Sequence, residues 1–197
     1  MGDYMNATFL QRCLAYIIDI LIVVILLNLI TYNINFDKRN DLNSEITNYL
    51  TEYDPTDVES VNKLLDLQYQ YNKESILVDT VSVIMTVGYF IVFQYFNKGQ
   101  TIGKKLLKIR ISGKDNKKVG IGQLVLRSII IYQILVNIIN LILISTVDKM
   151  LYLNIYGILT AVQSIFIVIT MLFILYRKDK RGLHDIMSGT YVVVERG

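Results

Sequence analysis

LAYIIDILIVVILLNLITY, residues 14–32, decides the class of fold, because all of it is apolar except Asp19, Asn28 and Thr31. Roughly 19 residues rising about 1.5 Å each cover about 28 Å, close to the ~30 Å of hydrocarbon in a bilayer. Arg12 stands just ahead of the run, a cation placed to anchor one interface. The segment is longer than the apolar part of a secretory signal, carries Asp19 inside it and lacks a small-x-small cleavage pattern, so it reads as a retained helix.

Outward from this run, three further stretches have the same character: 76–96, 128–147 and 151–176. The last two meet in a tight turn at Asp148 and Lys149, which makes them an antiparallel hairpin. The whole chain is 53% hydrophobic with a mean hydropathy of +0.42, and its charges fall in blocks between the apolar runs. That pattern predicts an all-α membrane protein with four transmembrane helices, a single domain over 1–197. Residues 33–75 form a polar, acidic loop expected to be helical in part: Thr56 and Glu59 have capping-box spacing, and Val58, Val61, Leu64 and Leu65 recur at helical intervals. Residues 97–127 form a basic loop, and 177–197 a tail. Alternation over Lys108–Ser112 and β-branching over Thr190–Val194 predict a small strand pair joining the two.

Lys and Arg set the orientation, since they are retained on the cytoplasmic side. Fifteen of the twenty lie before the first helix, in 97–127 or in the tail; five lie in 33–74 or the tight turn. Both termini are therefore expected in the cytoplasm of a multi-pass cell-membrane protein, with 33–75 outside. Nine acidic residues in the outer loop agree, although they weigh little in topology.

Asp19 is the first candidate for chemistry. A carboxylate within a spanning segment costs several kcal/mol unless it is paired, protonated or facing water. Arg12, two helical turns earlier, and Arg127, entering the third helix from the same side, are its expected partners. The pair reads either as an interhelical ion pair, which is favoured, or as a proton- or cation-binding site. Asp79 lies about one turn inside its helix, where the interface can solvate it. Gln133, Asn137 and Asn140 form a polar stripe, and Gln163 and Ser164 add polar groups to the fourth helix; such stripes usually join helices.

Lys104, Lys105, Lys108 and Arg110 alternate with Leu106, Leu107, Ile109 and Ile111, which predicts contact with anionic inner-leaflet lipids. The run Gly99-Gln100-Thr101-Ile102-Gly103-Lys104-Lys105 lacks P-loop spacing and a preceding strand, so it is not read as a nucleotide site. Cys and His occur once each, at Cys13 and His184, which disfavours a disulfide framework or a metal site within one chain. Cys13 reads as a small buried hydrophobe. No nucleophile elbow, HExxH or P-loop is present, so an enzyme is not expected, and neither are a cofactor or nucleic acid.

Arg12 with Asp19, the run from Gly99 to Lys104, Arg127, and Arg181-Gly182-Leu183-His184-Asp185 followed by Gly189-Thr190 occur in an order that resembles the RDD family of bacterial membrane proteins. The family is named for an arginine and two aspartates; Arg12 and Asp19 match the first two, and Asp185 the second aspartate. The resemblance covers most of the chain except the acidic loop. It implies a membrane protein for which cation/proton exchange has been suggested. On this reading the chain moves protons or monovalent cations as an oligomer, with Asp19 binding the ion, Arg12 or Arg127 tuning it and Asp185 shaping the inner mouth. The rival class is a scaffold or assembly factor that docks through the outer acidic and inner basic loops. For His184 and Asp185, docking of the tail on the basic loop is favoured over a role at an entrance.

Overall fold

The computed structural model describes residues 5–34 and 36–195. Helix α1 runs Phe9–Thr31, starting ahead of the apolar run because Thr8 and Gln11 close a capping box: the Thr8 hydroxyl accepts from the Gln11 N–H at 3.3 Å and the Gln11 amide oxygen accepts from the Thr8 N–H at 3.0 Å. Arg12 thus lies inside the first turn instead of before the helix. Leu21, Ile25 and Leu29 point outward and are exposed, the face a bilayer would cover.

The expected polar loop is two helices, α2 (Phe36–Tyr49) and α3 (Val58–Glu74), packed on each other. The N-cap of α3 is Asp57, which accepts from the N–H groups of Glu59 and Ser60; Thr56 donates to Asp54 instead, so the expected Thr56 capping box does not form. Tyr49 donates to the Ser60 hydroxyl at 3.0 Å, and Lys38 pairs with Glu74, tying the two helices together.

Helix α4 covers Ile76–Phe96, and its Gly88–Phe93 stretch is π-helical, which puts Tyr89 on a widened turn. Short α5 (Ile102–Leu106) follows, then β1 (Ile109–Ser112). The third apolar run is not one helix. It is α6 (Ile121–Ile131) and α7 (Ile134–Thr146), bent by 67°. At the break Gln133 adopts a left-handed conformation, φ 55°, which is uncommon for a residue with a Cβ. Two contacts hold it: the Tyr132 ring stacks on Phe90 with centroids 3.6 Å apart, and the Gln163 amide donates to the Ile130 carbonyl near the break. The 13-residue α7 is only about 20 Å long, short of a bilayer, so α6 and α7 make a span only together.

Helix α8 (Lys149–Tyr176) starts at Asp148, which accepts from the Leu151 N–H. Among the described residues three helices (α1, α4 and α8) are long and apolar enough to cross a membrane, and the bent α6–α7 pair passes the same test only when taken as one span. After α8 come the short helix α9 (Leu183–Ser188) and β2 (Tyr191–Val194). β1 and β2 pair antiparallel, Ile109 opposite Val194 and Ser112 opposite Tyr191, as the sequence predicts. Asn6 bridges Val193 on the other side of β2, and Ala7 donates to the Val192 carbonyl, so the start of the chain joins the sheet. Ala7, Ile109, Ile111, Leu124 and Val192 are buried together beneath it.

Candidate functional site

Two fully buried carboxylates, Asp19 and Asp185, lie at the sheet end of the bundle, each in its own nest of donors. Asp185 is presented by α9, which Gly189 ends in a left-handed conformation (φ 65°) while the Thr190 N–H returns to the Asp185 carbonyl at 2.8 Å. Its Oδ2 accepts from Arg12 Nη1 at 2.6 Å and from the Gly182 N–H at 3.0 Å. Its Oδ1 accepts from Arg127 Nη1, and His184 Nε2 lies 3.3 Å from the same oxygen. One carboxylate from the tail therefore joins two arginines from different spans. Burial, with Arg127, Arg12 and Lys104 nearby, holds the His184 imidazole well below its usual range, so it is neutral at pH 7.

Asp19 sits in the middle of α1 against the start of α5. Its Oδ1 accepts from the Tyr89 hydroxyl and the Gly103 N–H, both at 2.7 Å, and its Oδ2 from the Thr101 hydroxyl at 2.5 Å. Lys104 Nζ donates to Thr101 Oγ1 at 3.2 Å and lies 3.8 Å from Asp19 Oδ2. Gly103 makes the approach possible: a Cβ there would strike the Ala15 carbonyl oxygen and come within 2.9 Å of the Asp19 carboxyl carbon. Burial pushes the Lys104 ammonium down to about 7; Asp19 pulls it up and Arg127 pushes it further down.

Several sequence expectations are corrected by this geometry. Neither arginine meets Asp19. Arg12 pairs instead with Asp185, 173 positions later in the chain, and Arg127 pairs with the same carboxylate. Lys104 does not face lipid; it is buried on Asp19, because Gly103 lets α5 press against α1. Lys105 and Lys108 are exposed, and half-buried Arg110 donates to Asn116. Asp185 docks the tail on Arg127, the last residue of the basic loop, as the sequence reading favours, and also on Arg12 in α1. Cys13 is half-buried instead of packed in a core.

Asp79 is not left to interfacial water, since Asn140 Nδ2 lies 3.5 Å from its Oδ2. Asn140 in turn accepts from the Tyr152 hydroxyl at 2.8 Å, which accepts from Asn72 at 3.0 Å. The polar stripe of the third run thus divides: Asn140 stitches α3, α4, α7 and α8 at the far end, while Gln133 forms the bend. Sequence reasoning missed Tyr89, Thr101 and Lys104 as partners of Asp19; the signal was Thr101 followed two positions later by Gly103, an N-cap residue and a residue without a side chain. No group of three or more His, Cys, Asp and Glu side chains placed to hold a metal occurs among the described residues.

The family model that matches the chain is that of the RDD family, over residues 6–189, a range containing both carboxylates together with Arg12, Lys104 and Arg127. Comparison with curated proteins and with solved structures returned no match.

Proposed function

The chain belongs to the RDD family, and we propose that it is a multi-pass cell-membrane protein, both termini cytoplasmic, that moves protons or monovalent cations by exchange at the Asp19–Lys104 pair. The observation that carries this reading is the pair itself: a buried carboxylate with a buried lysine 3.8 Å away, its ammonium pushed down to about 7 by burial. With Lys104 charged, the pair is neutral, and a metal cation approaching Asp19 meets a like charge worth on the order of 4 kcal/mol at 4 Å and an effective dielectric of 20. Once the proton leaves Nζ the pair carries one negative charge, and Oδ2 can take a sodium or potassium ion in place of the ammonium. Proton and cation then compete for one site, which is the logic of exchange. Asp185 with Arg12 and Arg127 holds the surrounding spans in register, and four spans leave so little interior that the working unit is an oligomer.

The orientation rests on the distribution of Lys and Arg, with fifteen of twenty before the first helix, in 97–127 or in the tail. The test is proton and sodium or potassium flux in liposomes under a pH gradient. Wild type should carry flux; Asp19→Asn and Lys104→Met should insert but lose it. Equal flux from Asp19→Asn sinks the proposal.

A second reading, a docking scaffold, is favoured by the α2–α3 hairpin, which exposes Asp37, Asp41, Glu45, Glu52 and Glu59. Replacing 36–74 by a short linker should abolish partner capture under that reading and leave flux intact under the first.

A further inference from the structure

Between α1, the end of α6 and the second half of α8 lies a cavity of about 310 Å³. Its walls are apolar, formed by Tyr16, Ile17, Ile131, Ile167, Met171 and Ile174. Its floor is not: Arg12, Lys104, Arg127 and His184 line it. The volume is at the small end of the ~300–1,000 Å³ usual for small-molecule sites, which suits one hydrocarbon chain and not two.

The floor has unused donor capacity and unbalanced charge. Arg12 Nη2 is buried with no hydrogen-bond partner among the described residues, although the side chain is 92% buried, and Thr170 Oγ1 and His184 Nδ1 likewise have none among them. Among the described residues three buried cations, Arg12, Arg127 and Lys104, face two buried carboxylates, Asp185 and Asp19, one positive charge in excess when Lys104 is protonated. The charge of Asp179 also reaches Arg12, but Asp179 is itself engaged in a bidentate pair with Arg177. A buried guanidinium nitrogen without an acceptor costs free energy, and a monoanion placed there would supply both the acceptor and the missing charge.

We propose that the cavity binds a single-chain carboxylate amphiphile, a fatty acid drawn from the membrane, with its carboxylate on Arg12 Nη2 beside Lys104 and its chain along Ile17, Ile131 and Met171. The lipid-facing position of α1 and α8 lets such a molecule enter from the bilayer, and the headgroup stops at the cationic floor. The site shares Lys104 with the proposed exchange pair, and the labelling test below reads binding without measuring flux.

Cys13 lines the same cavity and is the single cysteine of the chain, so it reports occupancy directly. The protein, in nanodiscs of zwitterionic phosphatidylcholine, is treated with a small maleimide while dodecanoate, dodecanol or dodecyltrimethylammonium is titrated in. Saturable protection by dodecanoate of at least about tenfold is expected, with the alcohol and the cation ineffective. Met171→Trp, at the exposed lip, should fill the cavity and abolish protection; Arg12→Lys keeps a charge for Asp185 but loses the second N–H donor and should weaken dodecanoate at least about tenfold. No protection, equal protection by dodecanol, or wild-type affinity in either variant overturns the proposal. Labelling without ligand, together with the thermal midpoint of each variant, distinguishes a lost site from a misfolded protein.

Discussion

Replacing Asp185 by Asn tests the account of what joins the tail to the spans. The change is nearly isosteric, so it opens no cavity, and it retains an oxygen for one donor. It removes the charge that Arg12 and Arg127 share, leaving two buried guanidinium groups facing each other across a neutral amide. Removing one partner of a buried ion pair typically costs about 3–5 kcal/mol, because the remaining charge stays desolvated. For a chain of this length each kcal/mol corresponds to about 2–4 °C, so the midpoint of unfolding should fall by about 6–20 °C. Thermal unfolding in uncharged detergent, followed by far-ultraviolet circular dichroism of the helices, reads this directly. Asp37→Asn, on the exposed face of the hairpin, is the control and should stay within about 0.5 kcal/mol of wild type. A shift under about 2 °C for Asp185→Asn would refute the reasoning, and Arg127→Gln added to Asp185→Asn should recover part of the loss.

Gly103→Ala should force α5 off α1 at a cost of about 1–3 kcal/mol and lower flux along with the midpoint, read in the same two assays; an unchanged midpoint means the close approach is not needed. Gln163→Leu leaves the Ile130 carbonyl at the bend without its amide and should cost about 1–3 kcal/mol by thermal unfolding. His184 is neutral when folded, whereas an unfolded histidine takes a proton near pH 6.5; stability should therefore fall as pH drops below about 6.5, and the midpoint difference between pH 7.5 and 5.5 should shrink in His184→Gln. Flux should have an inflection near pH 7 set by Lys104, and because the unfolded lysine holds its proton up to about 10.4, stability should rise from pH 7 towards that value, a slope that Lys104→Met removes.

Much of the fold was legible because it follows from local rules. Residues 14–32 read as a span from composition alone, and α1 contains all but the last of them; β1 and β2 were visible in alternation and β-branching. The bend at Tyr132 and Gln133 was not legible, since neither is glycine or proline. It is imposed by Phe90 from one helix and Gln163 from another. The site failed in a similar way. Asp19, Arg12, Arg127 and Asp185 were all singled out, yet their pairing was misjudged, because spacing along one helix says nothing of a tail that returns from far along the chain. Lys104 was misplaced because alternating charge and apolar residues fit a surface segment as well as a buried one, and only Gly103 against Ala15 decides between them.

The shared grip of Asp185 on Arg12 and Arg127 also bears on how the protein is made. Arg12 and Arg127 are synthesised 173 and 58 residues ahead of Asp185, so both must wait for the carboxylate that pairs them. Until then two arginines sit near hydrocarbon without a counter-charge, so the helices can be threaded but not locked. A chain interrupted between residues 127 and 185 would display that unmet charge, a mark by which a membrane protease could tell unfinished copies from finished ones.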